Sequence, residues 1–352
     1  VGAAHNLLAA MVDNSIYHGN PLNIDPRRVL LRRVMDMNDR QLRNIVVGLG
    51  GKANGFPREA GFDITAASEV MAILGLSRSI SDLKERLGNI LVAYTFDGAP
   101  VFASQLRAQG AMAVLLKDAI KPNLVQTLEG QPVLIHGGPF ANIAHGNNSI
   151  IATEPALKLA DYAVTEGGFA CDLGAEKFFD IVCRITDARP DVVVIVASLR
   201  ALKYHGGAPR ERLASKDPKA LMAGTSNLDK HIENVRKFGL PIVVAINRFP
   251  ADEEEELELL LSHLEKLGVR GAVSEVVARG GEGGIDLARS VLEVLESERP
   301  NFRFLYDLGE PVKKKIETIA RELYGAEGVD YTQEAERDIK QITSNGFGGL
   351  PI

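Results

Sequence analysis

The sequence predicts an α/β protein built on a parallel sheet flanked by helices. Between residues 106 and 310, short apolar runs alternate with amphipathic helices at a spacing of about 30 residues, the rhythm of consecutive βαβ units. The run Val192-Val193-Val194-Ile195-Val196 carries no polar alternation, so both its faces should be buried, as in a central parallel strand. The segments before and after this region lack the rhythm, which gives the chain three textures.

Residues 1–105 mix short helices with loops. Leu7, Leu8 and Met11 form one helical stripe, Val46-Val47 runs into the turn Gly48-Leu49-Gly50-Gly51, and residues 64–74 read as a helix with Ala67, Val70, Met71 and Leu74 on one face. In the central region the apolar runs are Val133-Leu134-Ile135, Tyr162-Ala163-Val164, 192–197, 242–246 and 272–277. Asn227 can cap a helix whose stripe is Leu228, Ile232 and Val235 and which Gly239 stops. Residues 252–256 open another helix, closed by Gly268. Their carboxylates suit a water-facing helix N-terminus better than a metal site. Beyond 310, residues 312–323 and 333–343 read as charged helices.

The 352 residues are 45% apolar and 24% charged, an ordinary water-soluble mix. The net charge of −6 argues against nucleic-acid binding, which needs a basic face, while leaving room for a local basic pocket. No run of about 18 apolar residues could span a bilayer. Cys171 and Cys183 form no CxxC pair and have no neighbouring His, which argues against zinc and fits a reducing cytoplasm. Val1 is not preceded by a Met and residues 346–352 are apolar, so we expect a central fragment of a longer chain, with processing of a precursor as the alternative.

Ligands of an open parallel sheet bind beyond the carboxyl ends of its strands, so the segments that follow the strands are the candidates. After Ile135 comes His136-Gly137-Gly138-Pro139-Phe140-Ala141-Asn142-Ile143-Ala144-His145-Gly146-Asn147-Asn148-Ser149. Its backbone N–H groups and the imidazoles of His136 and His145 could meet an anion. Each His alone reads as structural, the loop as a whole as functional. After Val164 comes Thr165-Glu166-Gly167-Gly168-Phe169, then a helix start. A carboxylate at a strand end followed by glycines suits Mg²⁺ and phosphate, with Glu166, Asp172 and Glu176 as candidates. In the plainer reading Asp172 caps the helix and Glu176 is solvated.

After residues 242–246 comes Asn247-Arg248-Phe249-Pro250, where Asn can read a base edge and Phe can stack on a flat ring. It resembles the base-reading loop of P-loop GTPases but lacks that loop's Lys and Asp. After residues 272–277 comes Ala278-Arg279-Gly280-Gly281-Glu282-Gly283-Gly284, a glycine-rich turn that lets a ligand approach the backbone closely. No GxxxxGK[ST] loop, GxGxxG, HExxH or Ser/His/Asp signature occurs, and Gly48-Leu49-Gly50-Gly51-Lys52-Ala53 misses the first in spacing and hydroxyl.

Several stretches in order resemble formate–tetrahydrofolate ligase. They are Val34-Met35-Asp36-Met37-Asn38-Asp39-Arg40, residues 61–71 (Gly61-Phe62-Asp63-Ile64 onward), Ile120-Lys121-Pro122-Asn123, the loop from His136 to Gly146, residues 165–180, Asn247-Arg248-Phe249-Pro250 and Gly280–Gly284. The resemblance covers essentially the whole chain. It implies a P-loop NTPase-like core at 106–310, a small α+β domain inserted at 1–105, and the start of a third, C-terminal domain at 311–352. It also implies a phosphate loop upstream of Val1, so that the piece alone would be inactive.

The implied reaction is ATP-dependent ligation of formate to tetrahydrofolate through formyl phosphate, giving 10-formyltetrahydrofolate, ADP and phosphate. Mg²⁺ accompanies ATP, and a monovalent cation is a further candidate. Lys121, which by this likeness faces anions, and Glu166, from its place at a strand end, are the candidate catalytic residues. Phe169, Asn247, Phe249, Pro250, Val277, Gly280, Gly281, Glu282 and Gly283 border the folate and nucleotide cleft, His136 and His145 form an anion loop, and metal ligands stay unassigned. The family usually has Trp where this chain has Val277 and Lys where it has Arg279, which implies weaker or altered folate binding. The partners implied are small-molecule substrates, without nucleic acid or membrane, in a cytoplasmic homo-oligomer. A P-loop-like ATPase, or a diverged inactive homologue without ligase chemistry, is the competing reading.

Overall fold

Ala4, Leu8 and Val12 recur one turn apart, and this stripe draws helix α1 (Gly2–Tyr17) into an apolar interior. It belongs to the first of two compact units, Val1–Phe169 and Ala170–Ile352, of a computed structural model that describes residues 1–352.

In the first unit the chain continues through β1 (Ile24–Val29), β2 (Arg33–Met35), β3 (Ile45–Val47), β4 (Arg58–Ala60) and β5 (Phe62–Ile64). Then come α2 (Glu69–Leu76), α3 (Ile80–Gly88), β6 (Leu91–Thr95), β7 (Pro100–Phe102), α4 (Gln109–Leu115), β8 (Asn123–Gln126), β9 (Pro132–Ile135) and α5 (Ile150–Leu159). β1, β6 and β7 form an antiparallel sheet, β2 pairs β5 in parallel, and β3 pairs β4 antiparallel. Ile24, Leu83, Leu87, Ile90, Met112 and Leu116 complete the core around α1. Serines set the helix starts: Ser68, Ser79 and Ser149 accept hydrogen bonds from the backbone N–H groups of Met71, Asp82 and Ala152. The cap at Ser68 explains why the helix expected over 64–74 begins late, after a single tight turn at Thr65–Ala67.

Two expected strands differ here. Val133-Leu134-Ile135 joins no parallel sheet; it lies in β9, paired antiparallel with β8 in a hairpin. Tyr162-Ala163-Val164 forms no strand and is exposed. A short apolar triplet does not reveal whether a partner strand exists to use its hydrogen bonds.

The second unit opens on two π-helical turns, Cys171–Ala175 and Phe178–Val182, and the short α6 (Cys183–Ile185). Three βα repeats follow: β10 (Val193–Ala197), α7 (Leu199–His205) and α8 (Pro218–Lys237); β11 (Ile242–Asn247) and α9 (Glu254–Lys266); β12 (Arg270–Ser274), α10 (Val276–Arg279) and α11 (Ile285–Ser297). α12 (Val312–Glu322) and α13 (Gln333–Ser344) end the unit. The sheet is parallel in the order β10-β11-β12, with Ile246 opposite Ala197 and Val273. The architecture is therefore mixed α/β, with a parallel sheet in this unit and largely antiparallel pairing in the other.

The run at 192–197 is not the central strand. β10 ends the sheet, and its burial alternates: Ile195 and Ala197 are buried while Val194 and Val196 are 40% and 70% exposed. α8 packs on β10 and β11, α11 packs on β11 and β12, and α9 packs on β12, so β10 is the strand that lacks a second helix, while central β11 has an unbroken buried run from Ile242 to Ile246. An unbroken valine run thus marks strand propensity here, not centrality.

Three more expectations shift. The strand at 272–277 stops at Ser274 and turns into α10. Asn227 lies within α8, which starts at Pro218 behind Asp217, whose carboxylate accepts from Ala220 N–H; proline suits the first helical position. The acidic run at 252–256 is only partly solvated, because Glu256 is fully buried against Lys203.

α7 and α8 touch backbone to backbone. A Cβ on Gly224 would lie 1.8 Å from the Leu202 carbonyl oxygen, and one on Gly206 would lie 1.7 Å from that of Ala220. Glycine at both positions lets the two helices close to this distance.

Candidate active site

In the second unit, three parallel strands deliver three segments to one sheet rim. After β10, Ser198 accepts a hydrogen bond from Ala201 N–H and starts α7, which carries Arg200. After β11 comes Asn247-Arg248-Phe249-Pro250. Asn247 stays in register with Ser274, and Arg248 N–H donates to the Ser274 carbonyl at 3.0 Å. Asp252 folds the segment back, its carboxylate accepting from Phe249 N–H at 2.8 Å while Asp252 N–H donates to the Phe249 carbonyl at 3.0 Å. After β12 come Glu275, Val277 and Gly280–Gly284. The shared rim follows from the parallel topology, since every carboxyl end points the same way.

Charge and aromatic contacts knit these segments together. The Arg248 guanidinium reaches Glu254 at 3.1 Å and Glu275 at 3.5 Å, and Arg279 reaches Glu275 at 3.1 Å. Arg200 stacks over the Phe249 ring, 4.4 Å from its centroid, leaving the ring half-buried. Glu275 N–H donates to the Gly283 carbonyl at 2.9 Å, and a Cβ on Gly283 would meet the Glu275 backbone at 2.5 Å. This contact, not flexibility, accounts for glycine there. Val277 is 88% exposed, and Pro250, Gly280, Gly281 and Glu282 are exposed beside it.

The first unit holds the other expected residues. Lys121 is exposed and pairs with Asp118 at 3.0 Å. His136 is buried with both ring nitrogens engaged: Nε2 lies 2.5 Å from the Ala119 carbonyl and Nδ1 lies 2.6 Å from Ser149 Oγ. A carbonyl can only accept, so Nε2 carries the proton and Nδ1 accepts from the serine. His136 therefore ties the loop to α5 and has no free nitrogen for an anion. His145 is also buried and abuts α2, where a Cβ on Gly75 would lie 2.8 Å from its Nε2.

Glu166 is exposed, its carbonyl accepting from Asn147 Nδ2 at 3.4 Å, and Asn147 forms a bridge with Gly167. Phe169 is 74% exposed and holds a φ of +68°. A left-handed phenylalanine with an uncovered ring carries two local costs at once.

Asp172 lies in the second unit on the first π-helical turn, and Glu176 directly follows that turn. Glu176 is buried, not solvated. Burial first, then the neighbouring Asp180, pushes its carboxyl up to about 8. Asp180 accepts from Leu305 N–H and the Arg184 guanidinium, both at 3.1 Å. Nowhere do three His, Cys, Asp or Glu side chains converge to hold a metal ion. Mg²⁺ bound mainly by phosphate and water needs at most one or two carboxylates, and no protein cage for it is built here. Burial pushes the Cys171 and Cys183 thiols up to about 12, leaving both protonated and unsuited to bind metal.

The formate–tetrahydrofolate ligase family model matches residues 1–352, the whole chain. The chain belongs to the formate–tetrahydrofolate ligase family. That family's reaction is the ATP-dependent joining of formate to tetrahydrofolate, so the chain is of a carbon–nitrogen ligase kind with small-molecule substrates. No helix is long and apolar enough to cross a membrane. Reading the strand ends of this ligase chain left out one of them: Ser198 to Gly207, with Arg200 and Tyr204, follows β10 and forms part of the same rim. The rule that flagged the Asn247 and Gly280 segments, applied after Ala197, would have found it.

Proposed function

We propose that the chain serves ligation of formate to tetrahydrofolate through formyl phosphate, on a P-loop NTPase-like core. The single observation that carries this, beside family membership, is the gathering of the Asn247–Pro250 and Gly280–Gly284 segments on one sheet rim, with the Phe249 ring braced by Arg200.

A formate oxygen attacks the γ-phosphorus of ATP and ADP leaves. The N10 amine of tetrahydrofolate then attacks the formyl carbon, phosphate leaves, and the amine gives up its proton. Formate is a poor acyl donor because oxide leaves badly, and phosphorylation supplies the better leaving group. The protein's share is positioning and electrostatics. In the second unit Phe249 offers a flat apolar face and Asn247 an amide to a ring edge; in the first unit Phe169 offers another flat apolar face. Gly280, Gly281, Glu282 and Gly283 let a ligand approach the backbone, and Val277 and Pro250 form an aliphatic border. Lys121 supplies positive charge to an anion, and Glu166 is the acceptor for the departing proton. His136 and His145 hold the loop that shapes the anion's surroundings. Mg²⁺, when bound with ATP, neutralises phosphate charge.

The test is ADP release by the purified protein with formate and tetrahydrofolate supplied singly and together. The proposal expects turnover that needs both and yields 10-formyltetrahydrofolate in equal amount. ATP hydrolysis indifferent to formate and folate would instead support the simple ATPase reading.

A further inference from the structure

Arg200 and Arg210 of the second unit reach no carboxylate. They line one surface recess of about 350 Å³ together with Ala201, Tyr204 and Leu213. Neither makes an ion pair; Arg184, Arg248, Arg270, Arg279 and Arg289 of the same unit each reach a carboxylate, and Arg189, Arg236 and Arg303 donate to backbone carbonyls instead. Their partners are aromatic. Arg200 lies over Phe249, and Arg210 lies 5.5 Å from the Tyr204 ring centroid and donates to its hydroxyl at 3.4 Å. Arg200 Nε is shielded from solvent with no acceptor in reach. A shielded donor without a partner is costly and uncommon in a finished structure. The shielded Arg200 donor and the exposed Arg210 guanidinium line one recess at the rim where strands deliver their end segments, an arrangement suited to an anion.

We infer that this recess is an oxyanion subsite, which receives the acidic end of a substrate between the planar forks of Arg200 and Arg210. A guanidinium fork matches a carboxylate or phosphate bidentately. The carboxylate fits better. Ala201 and Leu213 give an apolar floor, Tyr204 gives a flat wall, and Ala201 N–H is already taken by Ser198. Phosphate sites characteristically draw on free backbone N–H groups. Tetrahydrofolate ends in such a group, a glutamate joined by an amide to an aromatic ring. Naming that source rests on the proposed ligase reading, whereas the subsite itself does not.

Calorimetric titration of the whole chain tests this with p-aminobenzoyl-glutamate, with p-aminobenzamide as the probe lacking acids, and with pyrophosphate as the phosphate probe. The expected result is binding of p-aminobenzoyl-glutamate at least about tenfold tighter than p-aminobenzamide, a bidentate charged contact contributing on that scale. Arg210→Gln and Arg200→Gln each abolish the difference, and Arg210→Lys restores it only in part, since an ammonium lacks the fork. Arg210 is exposed, so its variants decide the matter even if Arg200→Gln disturbs Phe249. If pyrophosphate alone loses affinity in the variants, the subsite stands and its anion is a phosphate. If no probe binds, or binding ignores both arginines, the inference is wrong. A protein that binds p-aminobenzoyl-glutamate through them yet turns over no ATP with formate and folate overturns the proposed reaction and leaves the subsite intact.

Discussion

Lys203 and Glu256 form a fully buried ion pair, Nζ to Oε2 at 2.8 Å. Further hydrogen bonds support both ends: Lys203 also donates to the Ser215 carbonyl at 2.9 Å, and Glu256 Oε1 accepts from Asp217 N–H at 2.7 Å. The pair ties α7, the start of α8 and α9 into one frame. Breaking one side strands a buried charge. Lys203→Met should therefore cost about 3–5 kcal/mol, and Glu256→Gln a similar amount, with the double variant recovering part of the loss. Urea unfolding measures this; a cost for Lys203→Met below about 1 kcal/mol, the size of an exposed pair, would show that the frame does not depend on it.

Glu176 gives the fold a pH dependence. Its carboxyl is raised by burial and by Asp180 from an ordinary 4.5 to about 8, so the folded state keeps a proton that the unfolded chain has released. Stability is full below about pH 4.5 and falls as pH climbs through about 8. Asp180 is raised also, first by burial, which acts with the same sign. Thermal melts of the wild type and Glu176→Gln from pH 5 to 9 should diverge, the variant gaining relative stability as pH rises. Parallel curves would rule out the proton on Glu176.

Lys315 is fully buried, and its ammonium donates to the carbonyls of Leu308, Gly348 and Leu350 at 3.2, 2.7 and 2.7 Å. Lys315→Met leaves those oxygens without a donor and should cost about 2–4 kcal/mol. The loss should appear locally, as faster hydrogen exchange over residues 346–352. Unchanged exchange there would contradict a clamp.

Phe169 carries left-handed strain, so Phe169→Gly should raise stability by about 1 kcal/mol while weakening tetrahydrofolate binding. Melting temperature and KM are read on one preparation, and a variant that loses stability would show that the ring packs for structure.

Val277→Trp restores the aromatic wall usual in the family at an exposed position where a large ring fits. Stacking is worth roughly 0.5–1.5 kcal/mol beyond area burial, so KM for tetrahydrofolate should drop by about two- to tenfold. An unchanged or raised KM counts against Val277 bordering the folate.

Much of this was legible from residue pattern. β11, α12, α13 and the glycine-rich turn lie where apolar period and punctuation place them, because each is specified locally. What depends on distant partners was not. The exposure of Val194 and Val196 follows from which helices cover the sheet, and the burial of Glu256 follows from Lys203 arriving from α7. His136 taken alone reads as structural and is so, but its partner, the Ala119 carbonyl, is a backbone atom that no motif displays. Arg200 carries no local signal, because its neighbours in the sequence form an ordinary amphipathic helix and its aromatic partner Phe249 lies on another strand end.

The reciprocal crossing of Gly206 and Gly224 has an evolutionary consequence. Each glycine faces a carbonyl of the opposite helix, so a side chain gained at one cannot be accommodated by trimming the other, which has nothing left to trim. Related chains should keep both or, where α7 and α8 have moved apart, be free to lose both together. A set of related sequences in which one glycine varies while the other stays fixed would indicate a different spacing of these helices.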